Sequence, residues 1–325
     1  MMQSILVTGG AGYIGSHICK ELASNGYRPV VFDNLTRGHQ DNVKWGPFVN
    51  GDVRSIEALR NTIHQYNIDS VIHCAALAYV GESFEKPLEY YKVNVIGALT
   101  LIEAIRLEHI STLVLSSSCA VYGSVGILPV SENSVIAPIS PYGRTKSIIE
   151  MATTDACSHN RFSSIALRYF NAAGAASDGS LAERHEPETH LIPNILKGLS
   201  DSSAHFLLNG VDFDTSDGTC VRDYVHVTDI AKAHLLALKY AKVNAGFNAF
   251  NLGTGSGFSI REIISEAENV TGLKLRVKEG LRRPGDPPYL VANPAKAKEI
   301  LKWEPVCSDI TTIVSDAWKY FGRNP

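Results

Sequence analysis

The chain has 325 residues, 45% of them hydrophobic and 19% charged, with a formal net charge of -3. That balance suits a soluble globular protein of about two domains and excludes a disordered chain. It also argues against a nucleic-acid partner, which calls for a concentrated basic face.

No apolar run approaches the roughly 18 residues of a membrane span. The N-terminus runs directly into Ile5-Leu6-Val7 without a basic leader, so neither anchor nor signal peptide is expected. The six cysteines, Cys19, Cys74, Cys119, Cys157, Cys220 and Cys307, show no C-x-x-C pair and no zinc spacing. They read as reduced thiols of a cytoplasmic protein, and no metal is expected.

Short apolar runs alternate with amphipathic stretches through the first half. Strands are expected at Ile5–Thr8, Pro29–Phe32, Val71–Cys74, Thr112–Leu115 and Ser164–Leu167, and helices at His17–Asn25, Ile56–Tyr66, Leu88–Leu107 and Tyr142–His159. Buried strands alternating with helices predict an α/β fold, a doubly wound parallel sheet of the Rossmann type. Ala172–Glu188 has no clear period and marks a functional or mobile loop. Beyond it a smaller C-terminal lobe is expected. The division is 1–172 for the dinucleotide domain and 173–325 for the substrate lobe, with 220–250 packing back on the first domain.

Gly9, Gly12 and Gly15 form a G-x-x-G-x-x-G turn between the first strand and a helix. Glycine lets the backbone turn sharply and approach a pyrophosphate, and the helix N-terminus offers free N–H groups. Asp33 ends the second strand, where a carboxylate binds a ribose diol and repels a 2′-phosphate. NAD is therefore expected rather than NADP, although Arg37 stands close in sequence. Asp52 suits either an adenine contact or a cap for the helix after Ser55. A second cluster, Gly253–Gly257, precedes the capping-box pattern Ser259-x-x-Glu262 and reads as a structural turn.

Ser140-Pro141 suits a helix start, which places Tyr142 and Lys146 one turn apart on one face. A tyrosine has a pKa of about 10, so it needs nearby positive charge to act as a base. Ser116-Ser117-Ser118 ends a strand, where doubly wound sheets place ligands. Its hydroxyls either meet a substrate oxygen or cap the strand end.

These motifs resemble those of extended short-chain dehydrogenase/reductases and, within them, the UDP-glucose 4-epimerase family. The likeness spans nearly the whole chain. It includes Val80–Ser83, SSSCAVYG at Ser116–Gly123, Tyr142-x-x-x-Lys146, Arg168–Asn171, GTCVRDYVHV at Gly218–Val227 and RRPGD at Arg282–Asp286.

The resemblance implies an isomerase that interconverts UDP-glucose and UDP-galactose through a 4-keto sugar on bound NAD. It implies Tyr142 as base, Lys146 in contact with the nicotinamide ribose and Ser118 bonded to the sugar 4-oxygen. It places Gly9, Gly12, Tyr13, Ile14, Gly15, Asp33, Asn34, Asp52, Val53, Ala75, Asn94, Tyr142, Lys146 and Phe170 around NAD. It places Ser118, Tyr142, Asn171, Leu191, Arg222, Arg283, Asp286 and Leu290 around the UDP-sugar. It further implies a homodimer built on the helices within Leu88–Leu107 and Tyr142–His159.

Two departures stand out. Ala78 occupies a position where relatives often carry lysine, and Leu290 one where tyrosine excludes an acetamido group. A 4-epimerase of UDP-pentoses or UDP-N-acetylhexosamines is the alternative. A 4,6-dehydratase fits less well, because Cys119-Ala120 replaces its Asp-Glu pair. A non-catalytic NAD-binding protein is the last reading.

Overall fold

The computed structural model describes residues 2–124, 128–160, 162–201, 203–283 and 286–321. Its centre is a seven-stranded sheet. We number its strands β1 (Ser4–Thr8), β2 (Arg28–Asp33), β3 (Phe48–Asn50), β4 (Ile68–His73), β5 (Thr112–Ser118), β6 (Ser163–Tyr169) and β7 (Gly246–Leu252). The spatial order is β7-β6-β5-β4-β1-β2-β3, and every pair is parallel. The order reverses beside β1, so the carboxyl ends of β1 and β4 open a crevice there.

The sheet is covered on both faces. On one face α1 (Tyr13–Ser24) and the later helix Val227–Ala241 bury Ile18, Leu22, Ile230 and Leu238 against Ile5, Val7, Val114 and Leu167. On the other, α2 (Ile56–Tyr66), α3 (Gly97–Leu107) and α4 (Pro141–Asn160) supply Leu59, Ile63, Leu101, Ile105 and Ile149. Each such aliphatic side chain removed from water stabilises the fold by about 1.5–3 kcal/mol. This two-sided burial is why the strands read as near-continuous apolar runs.

The expected Leu88–Leu107 helix is not uniform. Pro87–Tyr90 and α3 flank a π-helical turn at Tyr91–Ile96. Asn94 within that turn is fully buried. It accepts the Leu77 N–H at 2.8 Å and donates to the Leu77 carbonyl at 3.0 Å, which fixes the loop after β4. A wider turn that re-aims one side chain is a common use of π geometry.

After Asn171 the chain forms short strands and helices. Asn171–Ala173 pairs with Tyr224–His226, and Val221–Arg222 pairs with Phe258–Ser259 and Tyr289–Leu290. Helices Leu191–Ser200, Ile260–Thr271 and Ile310–Phe321 share a separate core with Ile195, Leu196, Ile263 and Ile313. Between helices Val227–Ala241 and Ile260–Thr271 the chain re-enters the main sheet through β7, beside β6. Among the described residues no helix is long and apolar enough to cross a membrane.

Candidate active site

A cleft of about 620 Å³ runs along the strand ends and under the second lobe. Its floor is the glycine turn. Gly9 has φ +71, and a Cβ there would come within 2.5 Å of the Ala75 backbone nitrogen. A Cβ on Gly15 would strike the Gly9 carbonyl. Gly12 differs: a Cβ would meet only the Gly9 carbonyl, at 3.3 Å, and would otherwise project into the cleft. The helix that follows has no side-chain cap, so its first N–H groups are available to an anion. A backbone bare at this point fits the pyrophosphate of a dinucleotide.

Asp33 lines this end, and its carboxylate accepts from Ala11 N at 3.1 Å and Leu35 N at 2.8 Å. Burial raises its pKa, against those two N–H groups. Each carboxylate oxygen retains a lone pair for a further donor. Arg37 is already engaged. It donates to Glu82 at 2.8 Å and to the Glu186 carbonyl at 2.9 Å, and its guanidinium lies over Tyr79. A 2′-phosphate would have to displace these contacts.

Ser55 itself caps α2, accepting from Ala58 N at 3.3 Å. Asp52 is thus free of capping. It faces the cleft, and hydrogen bonds from the Arg54 guanidinium hold its carboxyl down at about 2.

The chemical end lies on α4. Ser140 Oγ accepts the Gly143 N–H at 3.0 Å, and Pro141 opens the helix. Tyr142 and Lys146 therefore share the face against β5, with the Lys146 Nζ 5.9 Å from the Tyr142 ring centre. Lys146 is 5% exposed and donates to the Ser116 carbonyl at 2.7 Å. Burial lowers its pKa to about 8. Burial also pushes the Tyr142 phenol up to about 12, with a hydrogen bond to Ser118 pulling the other way. Burial outweighs the Ser118 hydrogen bond, so the protein's own groups on balance leave the phenol raised.

The three serines separate. Ser116 contacts Cys74 and His234, and Ser117 donates to Glu150. Among the three, only Ser118 lines the cleft. Glu150 also holds Arg168 at 2.6 Å, a buried pair that ties α4 to β6.

Asn171, Arg222, Asp286 and Leu290 line the same cleft, together with Phe170. Arg222 is 9% exposed. It donates to the Val221 and Pro287 carbonyls at 2.9 and 2.8 Å and lies 3.4 Å from Asp286. Gly9, Gly12, Tyr13, Ile14, Gly15, Asn34, Val53 and Ala75 also line it.

Three expected residues are absent from the lining. Asn94 lies behind it, holding Leu77. Leu191 packs on the lobe's own core. Arg283 is exposed outside the cleft. Sequence reasoning missed Tyr79, Glu183, His185 and His190, which do line it. The available signal was the Glu-x-His-x-x-Glu-x-His spacing from Glu183 to His190.

The 172–188 loop is pinned rather than loose. Tyr13 donates to the Gly174 carbonyl at 2.7 Å, Lys20 pairs with Asp178 at 2.6 Å, and Arg184 pairs with Asp41 at 2.6 Å.

Residues 5–253 match the NAD dependent epimerase/dehydratase family, and the chain belongs to that family. It is similar to a UDP-glucose 4-epimerase of Rhizobium leguminosarum bv. trifolii, 44% identical over 99% of this chain and 98% of that protein. A Brucella ovis UDP-glucose 4-epimerase solved with NAD matches with TM-score 0.96 at 48% identity, covering 98% of each chain. A Bifidobacterium longum UDP-glucose 4-epimerase solved with NAD+ and UDP matches with TM-score 0.93 at 33% identity, covering 99% of each.

Proposed function

We propose that the chain interconverts UDP-glucose and UDP-galactose by oxidising and re-reducing C4 of the sugar, with NAD resident in the cleft. The observation that carries this is one continuous cleft that holds both the open glycine turn and the Tyr142–Ser118–Lys146 group.

Bound NAD supplies the hydride acceptor and donor at C4 and, when oxidised, a positive charge beside the phenol. Tyr142 takes the 4-hydroxyl proton, and Ser118 holds the reacting oxygen through its hydroxyl. Lys146 adds a fixed cation one helical turn away, which favours the phenolate. Asp33 supports a ribose diol as ligand, and Asp52 an adenine contact.

Arg222 is assigned to the UDP diphosphate, because guanidinium pairs charge with several donors. The family resemblance assigns Arg283 and Leu191 to the same ligand, although neither lines the cleft. The proposed division of the chain is 1–172 for cofactor and 173–325 for substrate. The proposed assembly is a homodimer, supported by exposed Leu88, Ile96, Leu99 and Met151 on the two expected helices. The unpaired cysteines support a cytoplasmic location.

A second reading rests on Leu290, which lines the cleft and is only partly buried. A leucine there favours acceptance of N-acetylated sugars as well.

The test is to supply purified protein and NAD with UDP-galactose and follow products by NMR. UDP-glucose is expected. A 4-keto-6-deoxy sugar, or no turnover, overturns the proposal. The Tyr142→Phe variant should still bind NAD and UDP, yet lose activity by about 10²–10⁴-fold, the usual worth of a general base. Near-normal turnover would remove Tyr142 from its role.

A further inference from the structure

The segment pinned over the cleft carries four ligand-type side chains that the reaction does not use. Glu183, His185, Glu188 and His190 each offer one donor atom, and these atoms all lie within 4.8 Å of one another. The two carboxylates are buried, their side chains 6% and 3% exposed. The His190 Nδ1 is 2.9 Å from both Glu183 Oε1 and Glu188 Oε1. The His185 Nδ1 is 3.2 Å from Glu183 and 4.0 Å from Glu188.

Two details do not fit a closed network of hydrogen bonds. His185 Nδ1 is buried and has no partner in hydrogen-bonding alignment, although a carboxylate oxygen lies so near. Tyr79 is 8% exposed and stands edge-on to His185 at 5.4 Å, and its hydroxyl is also buried and unpartnered. His190 Nδ1 does align with Glu188 Oε1 as a hydrogen bond, whereas His185 Nδ1 converges on the same carboxylates without aligning, as a ligand does around a cation. One imidazolium, His190, between two buried carboxylates leaves a negative charge over, and a divalent ion would neutralise both carboxylates.

We propose that Glu183, His185, Glu188 and His190 form a structural site for one zinc-type divalent ion, beyond the epimerase reaction itself. Two imidazoles and two carboxylates suit zinc better than magnesium or calcium, which prefer all-oxygen shells. Zinc bonds of about 2.0–2.2 Å in a tetrahedron set ligand atoms roughly 3.3–3.6 Å apart. The His–Glu separations of 2.9 to 4.0 Å bracket that range, and all four ligand atoms lie within 4.8 Å of one another. With four protein ligands the shell is complete, which marks a structural rather than a catalytic ion. The ion clips the 183–190 stretch, and with it the Tyr79 wall, onto the dinucleotide end of the cleft.

The test uses the full chain, stripped with EDTA, desalted and titrated with zinc sulfate by calorimetry. One ion per chain is expected, with a rise in thermal midpoint on binding. The His185→Ala, His190→Ala double variant should bind more weakly by at least about 100-fold, since even an outer partner of a ligand is worth about 10–100-fold. It should also lose the thermal rise. Circular dichroism checks that this variant folds. If it does not fold, wild-type crystals soaked in zinc decide, through anomalous scattering at the zinc edge. A peak bonded to all four side chains supports the site. No stoichiometric uptake, binding unchanged in the folded variant, or a peak elsewhere overturns it.

Discussion

Two glycine-rich turns lie in this molecule, and only one is built to receive a ligand. Gly9–Gly15 leads into a helix with no side-chain cap, and its residues face the cleft. Gly253–Gly257 leads toward a helix whose first turn is closed by a capping box, Ser259 with Glu262. The second turn's own N–H groups are also taken, because the Asp223 carboxylate accepts from Thr254 N at 2.8 Å and Gly255 N at 3.1 Å. Glycine spacing describes the backbone's freedom in both places. The Gly9, Ala11 and Gly12 N–H groups are also bonded, so what decides is the helix start, uncapped after the first turn and closed after the second.

The contrast can be broken most forcefully at Asp223. Its carboxylate also accepts Ala292 N at 3.2 Å and Thr254 Oγ1 at 2.8 Å, so Asp223→Ala strips four donors of their partner, the Ala292 N–H at full burial. A loss of about 2–3 kcal/mol is expected in urea unfolding, from about 1–3 kcal/mol for the buried orphan and less for the donors that water can reach. NAD affinity of the folded protein should hold. Lost NAD binding with intact stability would make the second turn the cofactor cradle.

Gly9→Ala strikes the first turn. A positive φ costs an L residue roughly 1–2 kcal/mol, and the clash with the Ala75 backbone adds to it. NAD affinity measured by calorimetry should fall by about tenfold or more, with about 1.4 kcal/mol per tenfold. An unchanged affinity would refute the cradle.

The smallest effect belongs to Gly255→Ala. That glycine has φ +84, but a Cβ would meet nothing nearer than Pro294 at 3.4 Å. Only the backbone preference is lost, about 1 kcal/mol of stability with NAD binding unaltered. A loss as large as that at Asp223 would show that the second turn is under strain the contact geometry does not reveal.

Five strands of the central sheet were legible because burial on both faces leaves them apolar along their length. Strand β4 starts earlier than its apolar run, at Ile68. Asp69 and Ser70 obscure that start, and the Asp69 carboxylate accepts the Ser4 N–H at 2.7 Å. Strand β7 was not legible as a strand, since Asn248 and Asn251 interrupt it. Asn251 is tolerated at full burial because Tyr122 donates to it at 2.7 Å and it donates to the Val130 carbonyl at 2.9 Å. Those partners are remote in sequence.

By itself the sequence determined what depends on near neighbours along the chain. This covers the strand–turn–helix of the glycine turn, the shared face of Tyr142 and Lys146, and the capping box at Ser259. Each follows from backbone periodicity and local hydrogen bonding, which act over a few residues. Tertiary structure alone decided which of three adjacent serines faces the cleft, that Arg37 is held by Glu82 and Glu186, and that burial raises the Tyr142 phenol. It also decided that Glu183, His185, Glu188 and His190 meet. Those outcomes depend on desolvation and on partners far along the chain, and both exist only once the chain has packed.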